Sequence, residues 1–242
     1  LAARFTSEYY EAIRGQEAVA DCTLNVELQF NAGVVSALEA SDAHGSIDGP
    51  ESYQLILDDS GLRISAAGAA GLFYGTRTAL QLVNGAQAAR LPALNIVDAP
   101  VSTYRGLMID NVRKSHNFTF HMDFLEKLAS YKLNVYHLHS SDDQGYSMPS
   151  KAYPHLPMPS ALSAEEAEQL QSKAAELHVN IIAEIDLPGH SRALINAIPE
   201  LAGRTATGSA CSSINLTSAT AISILQTLLD EVRESTCVTM IC

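Results

Sequence analysis

The alternation of apolar and polar positions changes character near residue 100. Residues 23–30, TLNVELQF, set Leu24, Val26, Leu28 and Phe30 on one side of an extended chain, which predicts a half-buried strand. Residues 53–57 (YQLIL) and 62–66 (LRISA) predict two more strands. Between them Asp58-Asp59-Ser60-Gly61 has turn chemistry, so the pair reads as a hairpin. Residues 69–83 carry Leu72, Thr76, Ala79, Leu80 and Val83 at helical spacing. That predicts a helix packed on the sheet and stopped by Asn84-Gly85. The glycines from Gly68 to Gly75 match no phosphate-loop spacing and read as sites of close packing. Residues 94–97 predict a short strand, and Asp98-Ala99-Pro100 reads as a linker.

From Arg105 the rhythm becomes strand, helix, strand, helix. Residues 106–110 (GLMID) form a short apolar run ending in an acid, and 119–132 predict an amphipathic helix with Phe120, Phe124, Leu125 and Leu128 inward. Residues 134–139 (NVYHLH) predict the next strand. Ser163, with Glu166 three residues on, opens a helix to residue 178 as a capping box. The run 179–185 is continuously apolar apart from Asn180 and Glu184, as for a strand buried on both faces. Thr217 or Ser218 caps a last helix to about Arg233, and 237–242 (CVTMIC) predict a fourth strand. Repeated βα units imply a parallel sheet. The fold class is therefore α/β: a small α+β N-terminal domain over 1–99, then a partial (β/α)8 TIM barrel over 100–242. Four βα strands are visible where about eight close a barrel. A half barrel leaves parallel edges unpaired. The reading is an incomplete domain, completed by more of the chain, by a second chain or by a homodimer partner.

Polar residues gather after each of these strands. His137-Leu138-His139-Ser140-Ser141-Asp142-Asp143-Gln144-Gly145 is the densest cluster, with both imidazoles on one face of a strand. Three readings stand side by side: a metal site from the His pair and an Asp, a carboxylate in acid/base or positioning work, and two satisfied core histidines beside an acidic turn. Glu184-Ile185-Asp186-Leu187-Pro188-Gly189-His190 ends a buried strand with an acid and returns a His across a tight turn, so Asp186 and His190 can share a pocket. Arg113 follows the first strand end, where a guanidinium fork can hold hydroxyls or a carboxylate, or simply face solvent. No Gly-x-Ser-x-Gly, Gly-x-x-x-x-Gly-Lys, Gly-x-Gly-x-x-Gly or His-Glu-x-x-His occurs, which removes lipase, nucleotide-binding and zincin readings.

Composition narrows the partners. The 242 residues include 15 Lys+Arg and 27 Asp+Glu, a formal net charge of −12, and 47 % hydrophobic residues. Such a chain is globular, and its negative balance repels nucleic acid and anionic membrane. No run of about 18 uncharged apolar residues exists to span a bilayer. Cys22, Cys211, Cys237 and Cys242 lack Cys-x-x-Cys spacing, so a structural zinc site is not expected and one or two disulfides are open. Asn117 and Asn215 lie in glycosylation sequons. No charged segment precedes an apolar one at the start, so a signal peptide is read as absent or removed.

YRGLMIDNVRKS (104–115), YKLNVYHLHSSDDQGY (131–146) and AEIDLPGHS (183–191) come in one order and spacing, and together they resemble the family 20 glycoside hydrolases, the β-N-acetylhexosaminidases. ESYQLILDDSGLRISAAGAAGLFYGTRTALQLV (51–83) resembles that family's small domain before the barrel. The resemblance implies release of terminal GlcNAc or GalNAc from oligosaccharides by a retaining, substrate-assisted route, in which the substrate's 2-acetamido oxygen attacks the anomeric carbon. It implies that Arg113 binds ring hydroxyls, that Asp142 and His190 form a pair supporting the acid Glu, and that Asp186 braces them. No cofactor and no metal is implied. The compartment implied is secreted, periplasmic or lysosomal, and the partner is an amino-sugar oligosaccharide. The departures are equally specific. The family's catalytic Asp-Glu pair follows the fourth barrel strand, and no candidate is found for it, Asp230-Glu231 lying inside a predicted helix. Gly145-Tyr146-Ser147 stands where Gly-Trp-Arg is usual, Lys114 where a His is common, and the chain has no Trp. The 242 residues alone are therefore expected to be inactive. The alternatives are a catalytically inactive sugar-binding or interaction module, and a metal hydrolase built on His137 and His139.

Overall fold

The computed structural model describes residues 26–30, 49–85, 91–204, 207–235 and 238–241. The first three residues of the strand predicted over 23–30, and Cys237 and Cys242 of the last one, lie outside the described residues. The chain forms two compact units, Leu1–Tyr104 and Arg105–Cys242.

The first unit has strands β1 (Val26–Phe30), β2 (Tyr53–Asp58) and β3 (Gly61–Ala66), helix α1 (Ala69–Gly85) and strand β4 (Leu94–Asp98). The sheet order is β1-β3-β2-β4, with β1 parallel to β3 and the other pairs antiparallel. The predicted hairpin turns at Asp58, whose Oδ1 accepts the Ser60 N–H at 2.8 Å. Gly61 takes φ 127°, a conformation that a residue without Cβ adopts freely. The glycine reading of α1 holds at two positions: a Cβ on Gly71 would overlap the Ser52 carbonyl, and one on Gly75 would overlap Ile64 Cγ2. The missing side chains let the helix backbone sit directly on the sheet. Asp98, predicted in a linker, ends β4 instead. Its Oδ2 accepts the Tyr53 hydroxyl at 2.6 Å, and that hydroxyl also lies 2.5 Å from Thr78 Oγ1 on α1.

The second unit runs β5 (Gly106–Asp110), α2 (Phe118–Ser130), β6 (Val135–His139), β7 (Ser141–Asp142), β8 (Gly145–Tyr146), α3 (Ala164–Glu176), β9 (Asn180–Ile185), α4 (Arg192–Ala197), β10 (Ala202–Arg204), β11 (Ala210–Ile214), α5 (Ala219–Ser235) and β12 (Val238–Ile241). The main sheet is β12-β9-β6-β5, parallel throughout. Two helix starts follow the predicted chemistry, and Asn117 adds a cap that the sequence reading did not assign. Asn117 Oδ1 accepts the Phe120 N–H, Ser163 and Glu166 complete the capping box, and Ser218 Oγ accepts from Ala221. Both α2 and α3 close with a left-handed residue, Lys132 and His178, and a six-residue backbone bond, Leu133 N–H to Leu128 and Val179 N–H to Ala174. Each turn feeds the chain straight into the next strand.

Two features depart from the sequence reading of this unit. Phe120 and Phe124 are only half-buried, whereas His121 is fully buried with Leu125 and Leu128. The His is tolerated inside because its Nδ1 shares a 2.5 Å hydrogen bond with the Tyr136 hydroxyl from β6, satisfying a core tyrosine. The strand pair β7–β8, helix α4 and the hairpin β10–β11 were not anticipated, being too short for periodicity to reveal. Among the described residues no helix is long and apolar enough to cross a membrane.

Candidate active site

Parallel pairing fixes which side chains meet. Asp110, His139 and Glu184 share one register row across β5, β6 and β9. They project from the face opposite Tyr136, which packs against Phe124 of α2 with ring centroids 5.1 Å apart. Two residues earlier on β6, His137 lies on the same face. Past the strand ends, the loop 111–113, the hairpin β7–β8 and the loop 186–191 bring further polar groups over this row.

Asp142 is the centre. Its side chain is 1 % exposed. Oδ1 accepts the Asp143 N–H at 2.6 Å and faces His190 Nδ1 at 3.1 Å. Oδ2 faces His139 Nε2 at 3.1 Å and meets Arg113 Nη2. Burial opposes ionisation of Asp142, but the Asp143 N–H, the two imidazoles and Arg113 outweigh it and hold the carboxyl below the usual range. Arg113 is aimed there by Asp110, whose Oδ1 accepts the Val112 and Arg113 N–H groups, each at 3.0 Å, and whose Oδ2 accepts Arg113 Nη1 at 2.7 Å. The guanidinium side chain stays 46 % exposed, so one edge of it is free to meet a ligand.

His190 reaches Asp142 from a left-handed backbone, φ 50°, uncommon for a residue with a Cβ and often found at functional turns. Its ring is 58 % exposed, backed by a buried carboxylate. If Nδ1–H faces Asp142, Nε2 points away with its lone pair available. Asp186 is held by its backbone: its N–H donates to Ser141 Oγ at 2.9 Å and its carbonyl accepts Ser191 Oγ at 3.1 Å. Its carboxyl is pushed up by burial and then by Glu184 beside it, and its Oδ1 is buried without a hydrogen-bond partner.

Arg113, Asp142, Asp186 and His190, the four residues singled out in the sequence, thus converge at one end of the sheet. Glu184 and Asp110, which were not assigned roles, join them, as do His137 and His139, which the sequence left open between metal ligands and core histidines. Glu184 Oε1 lies 2.7 Å from His139 Nδ1, and Oε2 meets His137 Nε2. The available signal was an acid inside an otherwise apolar strand, two residues before Asp186 and so on its face. His139, Glu184 and Asp186, and Asp142, Asp186 and His190, bring donor atoms within 4.8 Å of one another. An arginine is already seated on Asp142 and both nitrogens of His139 face carboxylates, so these donor atoms are engaged with one another within the cluster.

Acids, imidazoles and a guanidinium at the C-terminal ends of parallel strands are the arrangement of a candidate active site rather than of a structural core. The sequence profile of the glycosyl hydrolase family 20 catalytic domain matches residues 103–241, and that of the family's domain 2 matches residues 2–99. The chain belongs to glycosyl hydrolase family 20. It is 37 % identical over 171 residues to a β-N-acetylhexosaminidase of Cellulomonas fimi, covering 63 % of this chain and 34 % of that protein. It is 34 % identical over 171 residues to a β-hexosaminidase of Vibrio furnissii, covering 61 % and 28 %. The crystal structure of a Flavobacterium johnsoniae chitobiase superimposes with a TM-score of 0.76 at 25 % identity, over 98 % of this chain and 38 % of that one. The matched regions span about a third or less of these curated relatives.

Proposed function

We propose that the protein containing this chain is a retaining β-N-acetylhexosaminidase that removes terminal N-acetylhexosamine from oligosaccharides with the substrate's own acetamido group as nucleophile. One observation carries the reading: Arg113, Asp142, Asp186 and His190 converge at the carboxyl ends of β5, β6 and β9 in a family whose relatives are named as hexosaminidases and a chitobiase. In this reading the exposed edge of Arg113 binds sugar hydroxyls away from the bond that breaks. His190, backed by the ionised Asp142, steadies the general acid and helps it recover its proton. Asp186, whose carboxyl is pushed toward the neutral form, braces the same network.

Residues 1–99 are read as the family's small N-terminal domain and 100–242 as part of a (β/α)8 barrel. The edge strand β5 supports continuation of the sheet, because it leaves Leu107 and Met108, on opposite faces, each about half exposed. Asp230 and Glu231 lie within α5, Asp230 beside Arg233 Nη2 at 3.2 Å and Glu231 bound to Ser150 Oγ and the N–H groups of Lys151 and Ala152, and neither is assigned as the acid in this reading. The acid-bearing Asp-Glu pair is accordingly assigned to residues outside these 242, on a further stretch of the same chain or on a second chain.

The intact mass of the native polypeptide is measured first: a mass well above 25.9 kDa is expected, and a mass equal to it requires a second chain. The full-length protein is expected to hydrolyse a chromogenic β-N-acetylglucosaminide, and a polypeptide of these 242 residues is expected not to. Arg113→Ala in the full-length protein should lower kcat/KM on the order of a hundredfold through lost substrate positioning. Wild-type activity with no response to Arg113→Ala, or turnover by the 242-residue polypeptide, overturns the reading.

A further inference from the structure

The residues assigned to catalysis leave a buried acid and imidazole pair beneath them unexplained. His139 is 4 % exposed, and both its ring nitrogens face carboxylate oxygens: Nδ1 at 2.7 Å from Glu184 and Nε2 at 3.1 Å from Asp142. A neutral imidazole has one N–H, so with two acceptor-only partners one nitrogen would meet an oxygen lone pair with its own. A ring carrying both protons satisfies both bonds, and each becomes charge-assisted.

We infer that Glu184 is a positioning residue that holds His139 as an imidazolium, and that this buried cation fixes the Asp142 carboxylate to which Arg113 and His190 are bound. The chain of contact is continuous. Glu184 comes from β9, His139 from β6, Asp142 from the β7 strand just beyond it, and His190 from the loop after β9. Each carboxylate oxygen of Glu184 meets one ring of the His137–Leu138–His139 pair, which ties the two strands across one register row.

Charged and titratable groups from several elements surround the His139 ring. Glu184 faces it from β9, Asp186 from just past the end of β9, Asp110 from β5, and Asp142 from β7, with Arg113 and His190 beyond Asp142, and His137 two residues before His139 on β6. Burial alone would discharge the ring, but Glu184, Asp142 and Asp110 outweigh it, and His139 is held above the ordinary histidine range. The same contact keeps Glu184 ionised against its own burial.

The proposal rests on the hydrolase reading for its kinetic consequence but not for its spectroscopic one. Side-chain 15N NMR of the full-length protein labelled at histidine reports protonation directly. His139, assigned by its loss in His139→Gln, should show both nitrogens protonated at pH 7.5. A His139 ring with one bare nitrogen at that pH overturns the proposal whether or not the protein hydrolyses amino-sugars. The second measurement is the pH profile of kcat/KM for Glu184→Gln, which keeps an acceptor for Nδ1–H and removes the charge. Its alkaline limb should move down by at least about one pH unit, since each unit is only about 1.4 kcal/mol of lost charge interaction. A Glu184→Gln profile that is lower but unshifted overturns the positioning role. If Glu184→Gln does not fold, the wild-type spectrum decides alone.

Discussion

His121 provides the sharpest test of how a titratable group was placed in this core. Its ring is completely buried on α2, joined to the Tyr136 hydroxyl, and stands near His116, with ring centroids 6.4 Å apart. Burial, then the neighbouring His116 ring, push it from 6.5 to about 4. A histidine kept neutral in the fold is free to protonate once unfolded. Its contribution is therefore whole above the unfolded value of 6.5 and is lost as pH falls from there to about 4. At about 1.36 kcal/mol for each pH unit, the loss is about 3 kcal/mol. Other groups act elsewhere or oppositely. His139 is raised, so its stabilisation is present below 6.5 and lost only as pH rises through its folded value. Asp110, Asp142 and Glu184 are lowered, so theirs is present above the usual carboxylate range and lost as pH falls below it. Asp186 is raised and opposes the trend. The assay is urea unfolding of full-length wild type and His121→Phe, followed by far-UV circular dichroism from pH 7.5 to 4.5, with equal m-values required. The variant carries a constant offset from the lost Tyr136 bond. Wild type should lose most of the 3 kcal/mol relative to it across that range. A difference that stays constant within about 0.5 kcal/mol refutes the placement of His121.

Gly75→Ala should destabilise by about 1–3 kcal/mol, because the new methyl overlaps Ile64 and the helix must lift from its sheet; thermal melting checks this, and an unchanged Tm contradicts the close approach. Ser163→Ala removes the Oγ that accepts the Glu166 N–H, leaving only the backbone N–H bond to the Glu166 carboxylate, and should cost about 1 kcal/mol, whereas Ser163→Asp should restore most of it, both read by urea midpoints. Tyr53→Phe deletes the hydroxyl shared by Thr78 and Asp98, and about 1–2 kcal/mol of stability should go with it, since a half-buried acid loses one of its donors.

The local rules were legible along the chain. Strands β2, β3, β5, β6 and β9 and helices α1, α2, α3 and α5 follow from periods of two and 3.6 and from Ser and Glu caps, because each depends on residues within a turn or two of one another. Arg113, Asp142, Asp186 and His190 were legible for a related reason: a polar residue just past an apolar run stands where a parallel strand ends. What periodicity could not reach was everything fixed by register between strands. That Glu184 lies beside His139, and not one residue higher or lower, is decided by the pairing of β6 with β9, across 45 positions of sequence. That His121 rather than Phe120 enters the core is decided by a hydroxyl on β6. Short elements such as β7–β8 and β10–β11 carry too few residues to show a period, and they form because backbone groups beyond a strand end need partners. Sequence alone thus determined the longer helices and strands and which strand ends gather polar residues. Tertiary structure decided which charges meet, because a buried imidazole takes its protonation from neighbours that only folding brings within 3 Å or so.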